Sequence, residues 1–234
     1  PPPPALLSPA HLALADRRLS RGLGDVYKRQ PPTLPTDWQL INGYLIGPTA
    51  NLYGANLNGA NLDGVDLGWA RLYGAFLYGA DLTNAKLTSA NLDESVLFDV
   101  KSGGITFDGT PPTLPFDWQL TNGYLIGPGA DLSGANLTGA NLGVTTLIGA
   151  TLTGAHLNGT TLTGATLTNA TLTNATLSGA TLTDATLTNV KSGGITGDGS
   201  TTLPTNWQLI DGYLIGPGAD LSDADLEGAD LTGA

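Results

Sequence analysis

Cysteine and methionine are both absent from this 234-residue chain, and only 12% of it is charged and 6% aromatic. Without cysteine there is no disulfide framework and no thiolate metal site. No apolar run approaches the roughly 18 residues that span a bilayer. No charged segment leads into a short apolar core, so no secretory signal is read. The lack of methionine even at position 1, and the end at Ala234, suggest a piece cut from a longer chain. Cations are also scarce: nine Lys and Arg stand against 20 Asp and Glu, for a net charge of −11. Five of those nine lie at Arg17, Arg18, Arg21, Lys28 and Arg29. Residues 1–30 carry +3, so residues 31–234 carry −14. That first stretch shares no vocabulary with the rest and is expected to be a non-native or disordered tail. Only Arg71, Lys86, Lys101 and Lys191 remain beyond it. Direct nucleic-acid binding is therefore not expected.

What the chain has is a period of five. Leu recurs at every fifth position from Leu52 to Leu97, from Leu132 to Leu187, and at Leu221, Leu226 and Leu231, 25 times in all. Two places before each Leu stands Ala, except at Val65, Ser95, Thr145 and Thr160. Asn, Asp or Thr fills most of the places between them, and Gly or Asn often ends the unit. Five fits neither the helical period of 3.6 nor the strand period of 2. It fits a chain that turns a corner every five residues. Along a short extended stretch, Leu and the Ala two places earlier point the same way. Gly or Asn tolerates the positive φ of a corner. Four sides close a square coil of about twenty residues, and coils stack at the strand spacing of about 4.8 Å. One coil cannot bury its leucines, but neighbours can. Each buried Leu contributes roughly 1.5–3 kcal/mol.

This unit, A-(N/D/T)-L-x-(G/N), resembles the pentapeptide-repeat family, whose signature is A-(D/N)-L-x-x. The resemblance covers residues 50–100, 130–190 and 219–234. It implies an all-β fold, a right-handed quadrilateral parallel β-helix. Its implied role is a non-enzymatic structural or protein-interaction scaffold. Because some family members bind gyrase by resembling acidic duplex DNA, it also implies an alternative, a DNA-mimicking modulator of a type II topoisomerase. The acidic balance agrees with that alternative, but its distribution does not. Between Ala130 and Val190 only Asp131 and Asp184 are acidic, and only the stretch Asp220, Asp223, Asp225, Glu227 and Asp230 is dense.

A phrase near D-W-Q-L-x-N-G-Y-L-I-G-P occurs at 37, 117 and 206. In the first two copies, counting back by fives from Ala50 and Ala130 lands on Leu45, Leu40, Leu125 and Leu120. The phrase is accordingly read as coil from Leu40 onward. Val100, Ile105, Val190 and Ile195 keep the same step. In the third copy the step is out by one, because "DGSTTLP" is one residue shorter than "DGTPPTLP". A one-residue change inside a coil would turn inward residues outward, whereas an exposed loop tolerates it. The expected organisation is a first block at 31–107, a loop at 108–117, a second block at 118–197, a loop at 198–206, and the start of a third, truncated block at 207–234. Trp38, Trp118 and Trp207 stand at the loop ends. They are read as lids over an irregular coil edge in preference to stacking platforms for a sugar or base.

Chemistry is thin. His11 lies in the tail, and His156 has no second His or paired carboxylate within a coil step. Asp108 and Asp198 sit in turn sequences. No phosphate loop and no nucleophile–base set is found, so no catalytic, cofactor or metal residue is assigned. Residues twenty apart should stack, which pairs Tyr53 with Tyr73 and Tyr78 with Phe98. With Phe76 and with Trp69 near a corner they make a candidate patch for an unidentified protein partner. The competing reading is cross-coil stacking that only stabilises the ladder. Thr-Leu-Thr at 151, 161, 166, 171, 181 and 186 gives outward Thr rows, which suit a solvated strand. They wrap all four faces, which speaks against an ice-binding surface.

Overall fold

Each unit makes one side of a square through three backbone hydrogen bonds. The Leu52 N–H donates to the Arg71 carbonyl at 2.8 Å, the Arg71 N–H donates to the Ala50 carbonyl at 2.8 Å, and the Ala55 N–H donates to the Leu52 carbonyl at 3.0 Å. The first two tie successive coils together, and the third closes the corner. Sides twenty residues apart therefore pair in parallel. The first side runs through Asn51, Arg71 and Asn91, the second through Asn56, Phe76 and Val96. The third runs through Asn61, Asp81 and Lys101, the fourth through Asp66, Lys86 and Thr106. The result is a right-handed quadrilateral parallel β-helix. The computed structural model describes residues 34–233. The expected tail at 1–30 lies outside them, as do residues 31–33. Thr36 onward forms one unit.

Leu and Ala line the interior, from Leu52 through Leu187, nearly all with no exposed surface. Ser95 and Thr160 are buried in Ala slots and keep their hydroxyls satisfied. Ser95 Oγ donates to the Leu92 carbonyl at 2.6 Å and Thr160 Oγ1 to the Leu137 carbonyl at 2.8 Å. The Asn or Asp before Leu has a specific task. Its Oδ1 accepts the N–H two residues on, at 3.0 Å for Asn61 and Asp63 and at 2.9 Å for Asp81 and Thr83. This local bond holds the side flat as it approaches its corner. For Asp81, burial pushes the carboxyl up, but the bonds from Thr83 and Lys101 outweigh it and hold the group below its ordinary value.

The blocks are one helix. On the third side the ladder passes from Lys101 to Asp131, and from Lys191 to Asp220. These joining coils carry extra residues, and both expected loops need correction. Thr113 falls within 108–117 yet bridges to Asn91 on the first side, and Thr202 falls within 198–206 yet bridges to Thr181. In each, the stretch before the bridge leaves the square. It measures seven residues from Thr106 to Thr113 and six from Thr196 to Thr202, against the usual five. The missing residue of the third copy lies there.

The repeated phrase is also corrected. It is not the first turn of a coil but an antiparallel hairpin. β1 (Gln39–Ile41) pairs with β2 (Tyr44–Ile46), β3 (Gln119–Thr121) with β4 (Tyr124–Ile126), and β5 (Gln208–Ile210) with β6 (Tyr213–Ile215). Leu40 faces Leu45 as a cross-strand partner and is 58% exposed. The turn residues explain the reversal. Asn42 and Gly43 have φ of 51° and 81°, and Asn122 and Gly123 have 52° and 78°. Two consecutive positive φ values make the turn that matches strand twist. The spacing of five between the two leucines coincides with the coil step, which is why phase alone misleads.

Each Trp packs within its own hairpin. A Cβ on Gly47, Gly127 or Gly216 would come within 2.6, 2.3 or 2.3 Å of the indole of Trp38, Trp118 or Trp207. Trp118 also packs against the cores on both sides of its hairpin.

Candidate functional site

Five of the six residues of the expected aromatic patch meet on the first and second sides. Tyr53 and Tyr73 follow Leu52 and Leu72 on the first side and stack with centroids 5.5 Å apart and planes 12° apart. Tyr78 and Phe98 follow Leu77 and Leu97 on the second and stack at 5.7 Å and 6°. Phe76 precedes Leu77, bridges to Val96, and is 48% exposed. Trp69 stands apart, at the corner before the first side, with Arg71 between it and Tyr73.

Sequence reasoning missed four members of this surface. Val96, Phe116, Val144 and Ile148 are all exposed, Phe116 by 90% and Val144 by 84%. Val96 was visible twenty residues after Phe76. Phe116 lies three residues past Thr113 of the first side. Ile148 required knowing that a joining coil is ten residues longer. The Phe98 ring lies over Gly129, where a Cβ would sit 2.3 Å from it, and the Gly129 N–H donates to the Ile148 carbonyl at 2.8 Å. The apolar edge thus crosses from the first block into the second.

Acids flank this edge. Asp93 and Glu94 follow Leu92 on the first side, Asp99 follows Phe98, and Asp117 follows Phe116. Glu94 first, then burial, Asp93 and Tyr53, hold the Tyr73 phenol above its ordinary value. The described lysines lie elsewhere, and each meets a carboxylate: Lys86 with Asp108 at 2.9 Å, Lys101 with Asp81 at 3.2 Å, and Lys191 with Asp223 at 3.8 Å. Among the described residues no group of His, Asp and Glu could hold a metal, and no helix is long and apolar enough to cross a membrane. His156 lies between Asn136 and Thr176 in the fourth-side ladder. Asp198 Oδ1 accepts from the N–H and Oγ of Ser200, and these bonds hold its carboxyl below the ordinary value.

Among the corner residues, Thr49, Trp69, Ser89, Glu94 and Val144 carry strain. Trp69 and Val144 have φ of 57° and 53°, where Gly is the usual occupant. For a non-glycine residue that region costs about 1–2 kcal/mol. Val144→Gly is expected to raise stability by about 1 kcal/mol, measured by urea denaturation. An unchanged or lower midpoint would show that Val144 makes a compensating contact.

The family model for pentapeptide repeats matches in eight copies, at residues 50–88, 60–99, 129–164, 152–189 and 217–234. The chain belongs to the pentapeptide-repeat family. No curated protein matches it by sequence. Among solved structures it is similar to the pentapeptide-repeat protein Rfr23 from the cyanobacterium Cyanothece 51142, at 26% identity over 66% of this chain and 88% of that one, with a TM-score of 0.25. It is similar to HetL, a pentapeptide-repeat protein involved in heterocyst differentiation regulation from Nostoc sp. strain PCC 7120, at 26% identity over 64% and 70%, with a TM-score of 0.33. It is also similar to QnrB1, a plasmid-mediated fluoroquinolone resistance protein, at 18% identity over 63% and 81%, with a TM-score of 0.23. None of these three TM-scores bears on function, and membership rests on the repeat match. It is a repeat-solenoid scaffold.

Proposed function

We propose that this solenoid is a non-enzymatic scaffold that binds a protein partner along the apolar edge of its first and second sides. One observation carries the reading. Of the fourteen large apolar residues exposed on the described chain, nine fall on that edge (Tyr53, Tyr73, Phe76, Tyr78, Val96, Phe98, Phe116, Val144 and Ile148), while Leu34, Leu40, Trp69, Phe107 and Leu231 lie elsewhere. A solvated ladder needs no such concentration, and Thr fills the equivalent slots at 163, 166, 168, 183, 186 and 188 of the second block. Contiguous exposed apolar surface marks an interaction site. The flanking acids favour a partner with apolar side chains bordered by Lys or Arg.

Phe76→Ser with Tyr78→Ser should leave the melting temperature within a few degrees and abolish capture of partners from a lysate. Rim charges should make that capture weaken with salt. Identical sets of captured proteins with both forms would sink the reading. The alternative, a DNA-mimicking topoisomerase modulator, needs a continuous acidic row. The ladders instead interleave the charges, as Asp66 with Lys86 and as Asp81 with Lys101 and Asp131. Inhibition of gyrase supercoiling that survives the Phe76 and Tyr78 changes would favour the alternative.

A further inference from the structure

The three hairpins offer an internal comparison, because two are seated on a coil and the first, among the described residues, is not. β3–β4 rests on Lys101-Ser-Gly-Gly-Ile105. The Leu125 N–H donates to Ser102 Oγ at 2.9 Å and the Ile105 N–H donates to the Gly123 carbonyl at 3.0 Å. The Tyr124 ring lies where a Cβ on Gly103 would come within 3.0 Å, and a Cβ on Gly123 would come within 3.2 Å of the Gly104 backbone. β5–β6 repeats every contact on Lys191-Ser-Gly-Gly-Ile195. Leu214 donates to Ser192 Oγ at 3.0 Å and Ile195 donates to the Gly212 carbonyl at 3.0 Å. A Cβ on Gly193 would meet Tyr213 at 3.1 Å.

The seat solves a problem the hairpin creates. In an ordinary coil the Phe76 N–H donates to the Ala55 carbonyl, 21 residues back. The tip of β3–β4 takes the place above Ile105, so Asn136 loses that kind of partner. Its N–H donates instead to the Tyr124 hydroxyl at 3.1 Å. The Asp225 N–H likewise donates to the Tyr213 hydroxyl at 3.1 Å. Serine, two glycines, the turn and the tyrosine act as one matched set.

β1–β2 carries the same half of that set. Tyr44 accepts the Asn56 N–H at 3.2 Å, as its counterparts do twelve residues on. Its underside lacks the other half among the described residues. A Cβ on Gly43 meets nothing within 4 Å, and the Leu45 N–H has no serine acceptor. Gln39 and Leu40 are exposed where Gln119, Leu120, Gln208 and Leu209 are half-buried, and Leu45 is half-buried where Leu125 and Leu214 are buried.

We propose that β1–β2 is a docking face for a further K-S-G-G-I coil, supplied by another block of this kind, so that the chain is a unit of a head-to-tail array. This goes beyond partner binding at the aromatic edge and uses none of its residues. The occupant follows from continuity with an interface present twice in the molecule. Both of the chain's own K-S-G-G-I coils are already taken.

Hydrogen exchange tests it. In the full chain with a second copy of residues 36–115 placed directly before Thr36, exchange at Tyr44–Ile46 of the retained copy should slow at least tenfold, toward that of Tyr124–Ile126. Protected added coils with unchanged exchange at Tyr44–Ile46 would overturn the proposal. A second measurement uses the chain as it stands. Ser102→Ala with Gly103→Val should speed exchange at Tyr124–Ile126 about tenfold and leave Tyr213–Ile215 unchanged. An unaltered rate at Tyr124–Ile126 would show that the coil is no seat, and the proposal would fall. Self-association of the unextended chain that buries β1–β2 would assign the face to a second copy and also overturn it.

Discussion

Deleting Pro111 is expected to change stability by less than about 1 kcal/mol, while deleting Gly79 is expected to abolish the fold beyond that point. The contrast follows from period and place. Inside the square, each residue's slot decides whether it faces in or out. Loss of Gly79 removes a corner with its positive φ of 62° and slips every later Leu and Ala by one. Leu82, Leu87 and Leu92, all fully buried, would give up their inward places to charged or polar neighbours. At roughly 1.5–3 kcal/mol for each buried Leu, three such slips exceed a typical stability of 5–15 kcal/mol taken with the cost of burying Asp81, Lys86 and Asn91. Pro111 stands instead in the stretch between Thr106 and Thr113, outside the ladder, where the third copy already lives with one residue fewer. Loops absorb length changes at small entropic cost. Circular dichroism and urea denaturation of the two deletions would check this. A folded Gly79 deletion of normal stability would contradict the square-coil account of the period.

That contrast shows which parts of the molecule a sequence exposes. The coil is legible because its rule is local and repeated, with one Leu inward and one corner per five residues. The one-residue difference between the second and third joining coils is legible because Val190 and Ile195 keep the step while Leu209 and Leu214 break it. The hairpins are hidden by coincidence, since Leu40 and Leu45 fit the coil step although Asn42-Gly43 turns the chain back. Asn-Gly between alternating apolar residues is a hairpin signal in its own right, and it outranks phase here. The places of Thr113 and Thr202 were hidden because ladder membership across an irregular stretch depends on how far the chain strays before it returns. Two spacings of seven and six residues are found only from the bridges themselves. The aromatic edge was half legible. Pairs twenty apart within one block stack as expected, but Ile148 joins Phe98 only across a lengthened coil.

Leu77→Ala should cost about 2–5 kcal/mol, although Phe76 beside it can change to Ser at a cost of about 1 kcal/mol or less. The two side chains leave the same short side in opposite directions. Leu77 is fully buried, packed within a stack of leucines that includes Leu57 and Leu97, twenty residues before and after. Truncation there loses the transfer energy of three carbons and leaves a cavity whose walls are held by neighbouring ladders, so little collapse is available. In a solenoid each coil touches only its neighbours. The loss should therefore appear first as faster hydrogen exchange between residues 52 and 102, with residues 150–190 little affected. Phe76, 48% exposed, gives up one cross-ladder contact with Val96 and no interior packing. If Phe76→Ser proved as damaging as Leu77→Ala, the aromatic edge would be part of the scaffold's own stability, and its availability to a partner would have to be abandoned. If Leu77→Ala instead changed stability by less than about 1 kcal/mol, the leucine stack would not be the source of cohesion, and the hairpins with their glycine seats would have to supply it.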